Sequence, residues 1–510
     1  MFSKAYSGAI HGLDGLIVSV EADVSNGLPL FDMVGYLGSE VKEARERVKI
    51  ALKNCGYHIP SKRITVNLSP ADIKKAGNAF DLPVAVAILS ALGHFSEKAL
   101  KDVLIIGELS LNGCVNKVKG ILPIVYSANQ LGYKKFIVPR QNAMEGAVIQ
   151  GVEIYGVSTL NEAVELLIND FSSDPQFIDL DYLLTRKTEG MVDFSEVTGQ
   201  ATVKRAMEVA ASGMHNMLMV GPPGSGKTML ARRIPTIMPD LTLEESIEIS
   251  KIYSIAGLLD KQALITRRPF RSPHHTITAA ALVGGGTIPR PGEISLAHLG
   301  VLFLDELTEF QKSTVEVLRQ PLEDGFVSIS RLNARYRYPA SPMLVAAMNP
   351  CNCGYYPNRN YCNCSINQIK RHLSRISRPI LDRFDICIET LQVNYKELKY
   401  NNKEKTSADI REKVSMAREI QLKRYKGQHL WFNSQLTPQS INRFCKLGNE
   451  EQAVMERAFS KLNMTVRAYH RVLKVARTIA DLDQSKDINV KHLSEAICYR
   501  NFDQNMIYIE

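Results

Sequence analysis

The chain has 510 residues and a formal net charge of +9, with 45% hydrophobic and 23% charged residues. This ordinary globular composition excludes a disordered, collagen-like or disulfide-scaffold protein. The longest apolar run, residues 82–93, has twelve residues. A membrane-spanning helix needs about twenty, and no signal peptide is evident, so we expect a cytoplasmic protein with no membrane partner.

The length predicts about three domains, and the hydrophobic patterning separates three blocks. Residues 1–170 alternate strand-like runs, at 16–20, 63–68, 103–106 and 135–138, with helical stretches, at 40–54, 81–92 and 123–131. Residues 171–191 show no period and are predicted to be a linker. Residues 192–394 alternate apolar strands with helices, which predicts a parallel α/β sheet. Residues 395–510 are predicted to be helical.

The strongest chemical motif lies at residues 221–228, where the sequence GPPGSGKT fits the phosphate-binding pattern G-x-x-x-x-G-K-[ST]. An apolar run precedes it and a helical run follows it, which is the context this loop requires. Lys227 is predicted to reach the β- and γ-phosphates of ATP, and the Thr228 hydroxyl to bind Mg²⁺. We expect the whole loop to hold the phosphates: Gly221, Pro222, Pro223, Gly224, Ser225, Gly226, Lys227 and Thr228.

Polar residues also end two later apolar runs. Asp305 and Glu306 follow residues 301–304, and Asn349 follows residues 343–348. We predict that Asp305 holds Mg²⁺ and that Glu306 polarises the attacking water. Asn349 is predicted to orient that water, although in isolation it would more often be a turn residue.

This order of elements resembles the AAA+ ATPases. Arg383, in PILDRFD, looks like the arginine finger of the clade that includes Mg-chelatase motor subunits and minichromosome-maintenance helicases. In that family the finger acts on the ATP of a neighbouring subunit; a structural pair with Asp382 is the alternative. Arg467, in TVRAYHRVLKVARTIADL, resembles the sensor-2 arginine of the lid, with Arg471 as the second candidate and an exposed helix charge as the alternative.

Longer motifs resemble the Mg-chelatase-like ComM/YifB group of bacterial ATPases over essentially the whole chain. They include PFRSPHHTITAAALVGGGTIPRPGEISLAHLGVLFLDEL, LRQPLEDG, AAMNPCNCG and, near the N-terminus, RITVNLSPADIKKAG. The resemblance implies an ATP- and Mg²⁺-dependent homo-oligomer, a hexamer, that moves branched or single-stranded DNA. In this group the implied process is branch migration in homologous recombination, including natural transformation.

The first block also resembles the proteolytic domain of Lon, an α/β fold like domain 2 of ribosomal protein S5. The resemblance places Ala79 where Lon has its nucleophile and Leu122 where it has its base. We therefore expect a non-proteolytic domain, because a hydrolase of this kind needs a serine and an adjacent base. The implied architecture is α/β: an S5-like domain at 1–170, a linker at 171–191, an AAA+ core at 192–394 and a helical lid at 395–510.

Four of the nine cysteines crowd into fourteen residues as C-x-C…C-x-C. Four thiolates could close a tetrahedral structural Zn²⁺ site, and reduced thiols without a ligand role are the alternative. The candidate ligands are Cys351, Cys353, Cys362 and Cys364.

The positive charge is concentrated in the later blocks. Residues 1–190 hold 19 basic and 21 acidic residues, whereas the remainder holds 43 and 32. Basic residues near two candidate pore loops and one helix would contact DNA phosphates without reading bases, although a solvated surface is the alternative for each. They are Arg267, Arg268, Arg271, Arg331, Arg335, Arg337, Lys370, Arg371, Arg375 and Arg378.

Two other functions fit the ATPase motifs. A Mg-chelatase motor subunit is disfavoured by the Lon-like block, because the resemblance to chelatase motors covers only the rest of the chain. A protein-remodelling factor is disfavoured because residues 272–302 contain no aromatic side chain for gripping polypeptide.

Overall fold

The computed structural model describes residues 1–72, 74–75, 77–185, 192–259, 262–286, 289–331, 334–392, 405–428 and 430–500. The chain divides into two compact units that interleave in sequence. Unit 1 consists of Met1–Arg186, Leu243–Thr266 and Ser330–Arg337. Unit 2 consists of Lys187–Thr242, Arg267–Ile329 and Tyr338–Glu510. These units are groups of segments that pack together, and they do not coincide with the three predicted blocks of the sequence. The domain boundaries expected near residues 170, 191 and 394 therefore stay predictions.

The first 186 residues form a seven-stranded mixed sheet in the order β3-β4-β2-β1-β5-β8-β9, with a separate β6–β7 pair. Its strands are β1 (Phe2–His11), β2 (Asp14–Ser25), β3 (Leu30–Val34), β4 (Arg63–Ser69), β5 (Val103–Ile105), β6 (Glu108–Leu109), β7 (Val115–Asn116), β8 (Lys135–Pro139) and β9 (Glu153–Val157). The four predicted strands of this block all overlap observed ones. Strand β1 was missed, because its sequence FSKAYSGAIH mixes small and polar residues without an apolar run.

The helices of this segment are α1 (Ser39–Asn54), α2 (Asp81–Ala91), α3 (Ile121–Gln130), α4 (Ala143–Ala147), α5 (Leu160–Ile168) and α6 (Leu180–Thr185). Helix α2 is buried along its entire length, which explains why its sequence is a continuous apolar run rather than an amphipathic one. The three predicted helices of this block correspond to α1, α2 and α3.

Unit 2 contains a five-stranded sheet in the order β11-β14-β17-β10-β18, in which all neighbouring strands are parallel. This confirms the predicted parallel α/β core. The strands from residue 187 onward are β10 (Met217–Val220), β11 (Phe270–Arg271), β12 (Gly284–Gly285), β13 (Arg290–Pro291), β14 (Val301–Leu304), β15 (Phe326–Arg331), β16 (Ala334–Pro339), β17 (Met343–Met348) and β18 (Ile386–Glu389). Strands β10, β14 and β17 are buried at every position, as expected for central parallel strands.

Short helices separate these strands, and longer ones follow them. The helices are α7 (Ala201–Gly213), α8 (Lys227–Ala231), α9 (Ile234–Ile237), α10 (Leu243–Ala256), α11 (Ala279–Val283), α12 (Glu293–Leu296), α13 (Lys312–Glu316), α14 (Arg319–Asp324), α15 (Ile366–Leu373), α16 (Arg378–Leu381), α17 (Ser407–Arg424), α18 (Pro438–Phe444), α19 (Asn449–Lys461), α20 (Val466–Leu482) and α21 (Val490–Cys498). Helix α17 begins with a capping box in which Thr406 and Asp409 satisfy each other's backbone N–H groups. The predicted helical C-terminal block thus corresponds to α17–α21.

Helix α10 belongs to unit 1, although the chain segments on both sides of it belong to unit 2. Within unit 1 it packs on α3. The Ser254 hydroxyl donates to the buried Glu145 carboxylate, and the Ser254 carbonyl accepts from Gly120 N at 3.2 Å. The Lys251 ammonium lies 3.1 Å from the centre of the Tyr126 ring. Polar contacts to a buried carboxylate fix this segment firmly against the first 186 residues.

Candidate active site

The phosphate loop connects β10 to α8 at the carboxyl edge of the five-stranded sheet. Gly224 and Gly226 have φ angles of +74° and +82°, a backbone region that favours glycine. A Cβ on Gly221 would lie 2.2 Å from the Thr390 carbonyl oxygen. The backbone at Thr390 therefore approaches too closely for any side chain at position 221. The three glycines of the motif are therefore required by backbone geometry, independently of any ligand.

Lys227, at the start of α8, is folded back over this loop. Its Nζ donates to the Gly221 and Pro222 carbonyl oxygens, both at 2.8 Å, and to Asn349 Oδ1 at 3.3 Å. Burial lowers the pKa of Lys227, while the nearby carboxylates of Asp305 and Glu306 oppose that shift. The ammonium is thus held against the carbonyl groups of the phosphate loop, with Asn349 beside it.

Thr228 and Asp305 meet across the sheet edge. The Thr228 hydroxyl donates to Asp305 Oδ2 at 2.6 Å. The other oxygen, Oδ1, accepts the backbone N–H of Glu306 at 3.0 Å. A hydroxyl beside a carboxylate is an oxygen-donor pair of the kind that Mg²⁺ takes when substrate phosphates complete its shell, so these residues fit the metal. Glu306 has a φ of +51° and an exposed side chain.

Thr390 supports the loop and was not predicted. Its hydroxyl lies 2.9 Å from Ser225 Oγ, and its backbone N–H donates to Val220 O at 2.8 Å. Thr390 follows β18, the strand that pairs with β10. No motif marks it, because its role depends on which strand lies beside β10.

Arg383 lies near the amino ends of the strands of the same sheet. Asn216 immediately precedes β10, and its side-chain amide donates to the Arg383 carbonyl oxygen at 2.9 Å. The phosphate loop follows β10, and the four residues of that strand span about 13 Å. One chain therefore presents its phosphate loop and Arg383 at opposite ends of a strand.

The Arg383 guanidinium is paired with Glu323, a residue that sequence reasoning did not single out. Arg383 Nη2 donates to the Glu323 carboxylate, and Nη1 donates to Pro379 O at 3.0 Å. Arg467 Nη2 lies 3.8 Å from the other Glu323 oxygen, with 62% of its side chain exposed. One carboxylate therefore faces two of the predicted arginines. Glu323 lies within the motif LRQPLEDG, but its partners are more than fifty residues away in sequence.

Arg471, the second sensor-2 candidate, is the more deeply buried of the two. Only 14% of its side chain is exposed, and its Nε lies 3.5 Å from Asp385 Oδ1. Its Nη1 is buried and has no hydrogen-bond partner among the described residues. Burial lowers the pKa of Arg471, while the Asp385 carboxylate opposes that shift. A buried guanidinium with a spare donor is well suited to bind an anion.

These side chains line one cavity of about 620 Å³ within unit 2. Its lining includes the titratable residues Glu323, Asp324, Arg383, Asp385, Arg467, His470, Arg471 and Lys474. We call it the arginine cavity. The structure brings together Arg383, Arg467 and Arg471 there, whereas the other predicted ATP-site residues lie at the phosphate loop.

Two of the predicted DNA-contacting residues have structural roles instead. Arg268 is 6% exposed and donates to the Pro239 and Leu299 carbonyl oxygens at 2.7 and 2.8 Å. Arg271 pairs with both oxygens of Glu293, at 2.6 and 2.7 Å. Neither is available to a phosphate. Arg335, Arg337, Lys370, Arg371, Arg375 and Arg378 are exposed, whereas the side chain of Arg331 lies outside the described residues.

The predicted thiol cluster is assembled. The Sγ atoms of Cys351, Cys353, Cys362 and Cys364 all lie within 4.8 Å of one another, and all nine cysteines of the chain are free thiols. Ala79 and Leu122, at the positions of the Lon dyad, belong to one apolar cluster, in which Leu122 of α3 is fully buried and Ala79 is partly buried. The absence of peptidase activity stays a prediction.

Within the described residues, none of the helices is both long and apolar enough to cross a membrane. Three family descriptions match the chain. "Magnesium chelatase, subunit ChlI" matches residues 193–398, "Subunit ChlI of Mg-chelatase" matches residues 20–142, and "Magnesium chelatase, subunit ChlI C-terminal" matches residues 404–500. The match at 20–142 removes our argument against a chelatase motor, because the first block does not separate this chain from that description.

Individual relatives extend over the full length. Competence protein ComM of Haemophilus influenzae is 43% identical over 498 residues, covering 97% of this chain and 96% of the relative. The uncharacterized protein YifB of Escherichia coli is 41% identical over 510 residues, covering 100% and 99%. The archaeal Lon protease of Thermococcus kodakarensis is 28% identical over 178 residues, covering 32% of this chain and 28% of the protease. The expected resemblances are confirmed, the one to Lon over a part of the chain.

Proposed function

Because the chain belongs to the Mg-chelatase-like ComM/YifB family of AAA+ ATPases, we propose that it is an ATP-driven ring motor that moves DNA. The observation that carries this proposal is the separation of the phosphate loop from Arg383 by the length of β10. A finger that cannot reach the ATP of its own chain can act only on the ATP of a neighbour. This favours a closed homo-oligomer with head-to-tail contacts, and we propose a hexamer.

In this mechanism the phosphate loop of one subunit holds ATP through its backbone N–H groups. Lys227 leaves its carbonyl partners for the β- and γ-phosphate oxygens. Thr228 and Asp305 would hold Mg²⁺, which neutralises phosphate charge when bound. Asn349, already 3.3 Å from Lys227 Nζ, is within reach of the γ-phosphate and the water beside it.

Glu306 is the proposed general base. Its side chain is exposed and adjoins Asp305, so a water in line with the γ-phosphate lies within its reach. The carboxylate orients that water and accepts its proton as the bond to phosphorus forms. Arg383 of the neighbouring subunit leaves Glu323 and stabilises the charge that spreads over the transferred phosphoryl group.

The arginine cavity is the proposed link between ATP hydrolysis and movement of the helical segment. Arg467 and Arg471 lie on α20, in the helical C-terminal segment, so anion binding there depends on how that segment meets a neighbouring copy. Hydrolysis and release of the γ-phosphate remove the anion. We propose that the helical segment then shifts relative to the sheet and moves the DNA-contacting loops.

DNA as the substrate rests on three observations. The later part of the chain carries the whole charge excess, and the described residues include an exposed basic stretch on and after α15. A relative that matches nearly the full length is named a competence protein. We therefore propose branch migration during recombination or natural transformation, in the cytoplasm, with ATP and Mg²⁺ as cofactors. Zn²⁺ in the thiol cluster is a separate proposal, because phosphoryl transfer does not require it.

A branch-migration assay on a synthetic Holliday junction tests this proposal. We expect ATP-dependent resolution of the labelled junction by the wild-type protein. Lys227→Ala should reduce it by at least about 100-fold, whereas Lys423→Ala, a change of an 82% exposed lysine on α17, should not.

The same proteins should be compared for ATP turnover with forked DNA, with unfolded protein and with a chelatase partner. Stimulation by unfolded protein alone would support a remodelling factor, and stimulation by the chelatase partner alone would support a metal-insertion motor. Either result would overturn the DNA motor.

A further inference from the structure

The four thiols of the cluster have the spacing of a single-ion site. Cys351 Sγ lies 3.3 Å from Cys353 Sγ and 3.8 Å from Cys362 Sγ. A tetrahedral zinc ion with Zn–S bonds of about 2.3 Å separates its sulfur ligands by about 3.8 Å. All four sulfurs lie within 4.8 Å of one another, so the space between them suits one metal ion.

The surroundings of the sulfurs also suit a metal. Cys351 is 0% exposed and Cys362 is 4% exposed, and they pack against Ile369 of α15. An apolar, largely buried shell of this kind limits solvent access to a bound metal.

The cluster is joined directly to the nucleotide site. Cys351 follows Asn349 by two residues at the end of β17. His372, on α15, has its Nε2 3.1 Å from the Asn349 carbonyl oxygen. Gly354 comes so close to the phosphate loop that a Cβ there would lie 2.4 Å from Pro223 Cδ. The segment that carries the thiols therefore packs against both Asn349 and the loop.

We propose that Cys351, Cys353, Cys362 and Cys364 bind one structural Zn²⁺ ion, and that this ion braces Asn349 and the phosphate loop for nucleotide binding. The loop between the two cysteine pairs, GYYPNRNY, contains no helix or strand of its own. Four metal bonds supply the order that hydrogen-bonded secondary structure supplies elsewhere. Zinc suits the role because it is redox-inert and tetrahedral with four sulfur ligands.

Metal analysis of the purified full-length protein tests the site itself, without DNA and without turnover. We expect about one zinc per chain in the wild-type protein and less than about a tenth of that in Cys362→Ser. Cys114→Ser, which changes an exposed thiol of unit 1, is the matched control and should keep its zinc. Iron in place of zinc, no metal in the wild-type protein, or full zinc in Cys362→Ser would overturn the proposal.

Because Cys362→Ser could fail to fold, exchange of the wild-type metal for Co²⁺ gives an independent readout. Four thiolates around Co²⁺ should produce intense sulfur-to-cobalt charge-transfer absorption and the visible bands of a tetrahedral ion. A Co²⁺ spectrum typical of octahedral oxygen ligands would overturn the proposal.

The bracing role is tested by nucleotide affinity. Removal of zinc from the wild-type protein with a chelator should weaken binding of a fluorescent ATP analogue by about 10-fold, and added Zn²⁺ should restore it. Unchanged affinity after complete removal would overturn the bracing role. The affinity measurement rests on the proposed ATP site, whereas the metal analysis does not. Failure of the zinc proposal is therefore distinguishable from failure of the proposed function.

Discussion

The two ends of strand β10 carry different groups of the residues predicted to act on ATP. At the carboxyl end, Lys227 contacts Asn349 and Thr228 contacts Asp305 within a single chain. At the amino end, Arg383 lies in a cavity with Arg467 and Arg471, and none of them contacts the phosphate loop among the described contacts. The phosphate-loop end is thus assembled within one chain, whereas the arginines at the other end are paired with the carboxylates of Glu323 and Asp385.

This difference suggests a division between nucleotide binding and hydrolysis, which follows from the proposed mechanism. If that mechanism holds, contacts at the carboxyl end bind nucleotide in an isolated subunit. Contacts at the amino end then stabilise transition-state charge only when a neighbour brings its ATP. Variants of the two ends should therefore separate nucleotide affinity from turnover.

The largest effect is expected for Arg383→Ala. Turnover should fall by about 10³-fold, the lower end of the range for loss of an arginine finger. Affinity for ATP should change little, because Arg383 does not reach the loop of its own chain. Steady-state ATPase assays and binding of a fluorescent ATP analogue measure the two quantities. Arg319→Ala, which removes an arginine paired with Glu316 on the surface, is the matched control. A large loss of affinity in the Arg383 variant would place the finger at its own phosphate loop.

A change at the carboxyl end should also slow turnover while keeping nucleotide bound. In Glu306→Gln the amide cannot accept the proton of the attacking water, so we expect a loss of about 10²- to 10³-fold in kcat. ATP should remain bound and unhydrolysed on the protein, as filter binding would show. Glu309→Gln changes a nearby exposed acid that pairs with Arg375 and should be close to wild type. Normal turnover in Glu306→Gln would require another base.

The two sensor-2 candidates should differ. Arg471→Ala removes a buried guanidinium with a spare donor, and we expect about 10-fold lower turnover, equivalent to a charge-assisted hydrogen bond of about 1.5 kcal/mol. Arg467→Ala removes an exposed pair with Glu323, and we expect no more than about a twofold effect. ATPase assays, with thermal unfolding to exclude misfolding, compare them. A larger loss of turnover in Arg467→Ala than in Arg471→Ala would instead identify Arg467 as the sensor-2 arginine.

The sequence predicted which residues lie together at the carboxyl end, because they follow apolar runs that become buried parallel strands; their catalytic roles stay predictions. The amino end was harder to predict. The arginines were recognised by their motifs, but their contacts with Glu323 and Asp385 depend on packing between distant segments. For the same reason Arg268 and Arg271 looked like DNA contacts, although one binds backbone carbonyls and the other binds Glu293. The interleaving of the two units was not predicted either, because nothing in the sequence pattern of α10 shows which unit it packs in.

Mixing two inactive variants tests the division between the ends of β10 most directly. Lys227→Ala lacks a working phosphate loop and Arg383→Ala lacks a finger, so neither should hydrolyse ATP alone. In mixed rings, a loop from the Arg383 variant can meet a finger from the Lys227 variant. At equal amounts, random assembly gives about a quarter of the interfaces both intact parts. We expect ATPase activity to reappear at up to that fraction of wild type. No recovery, in mixtures shown to assemble together, would contradict a site completed between two copies of the chain.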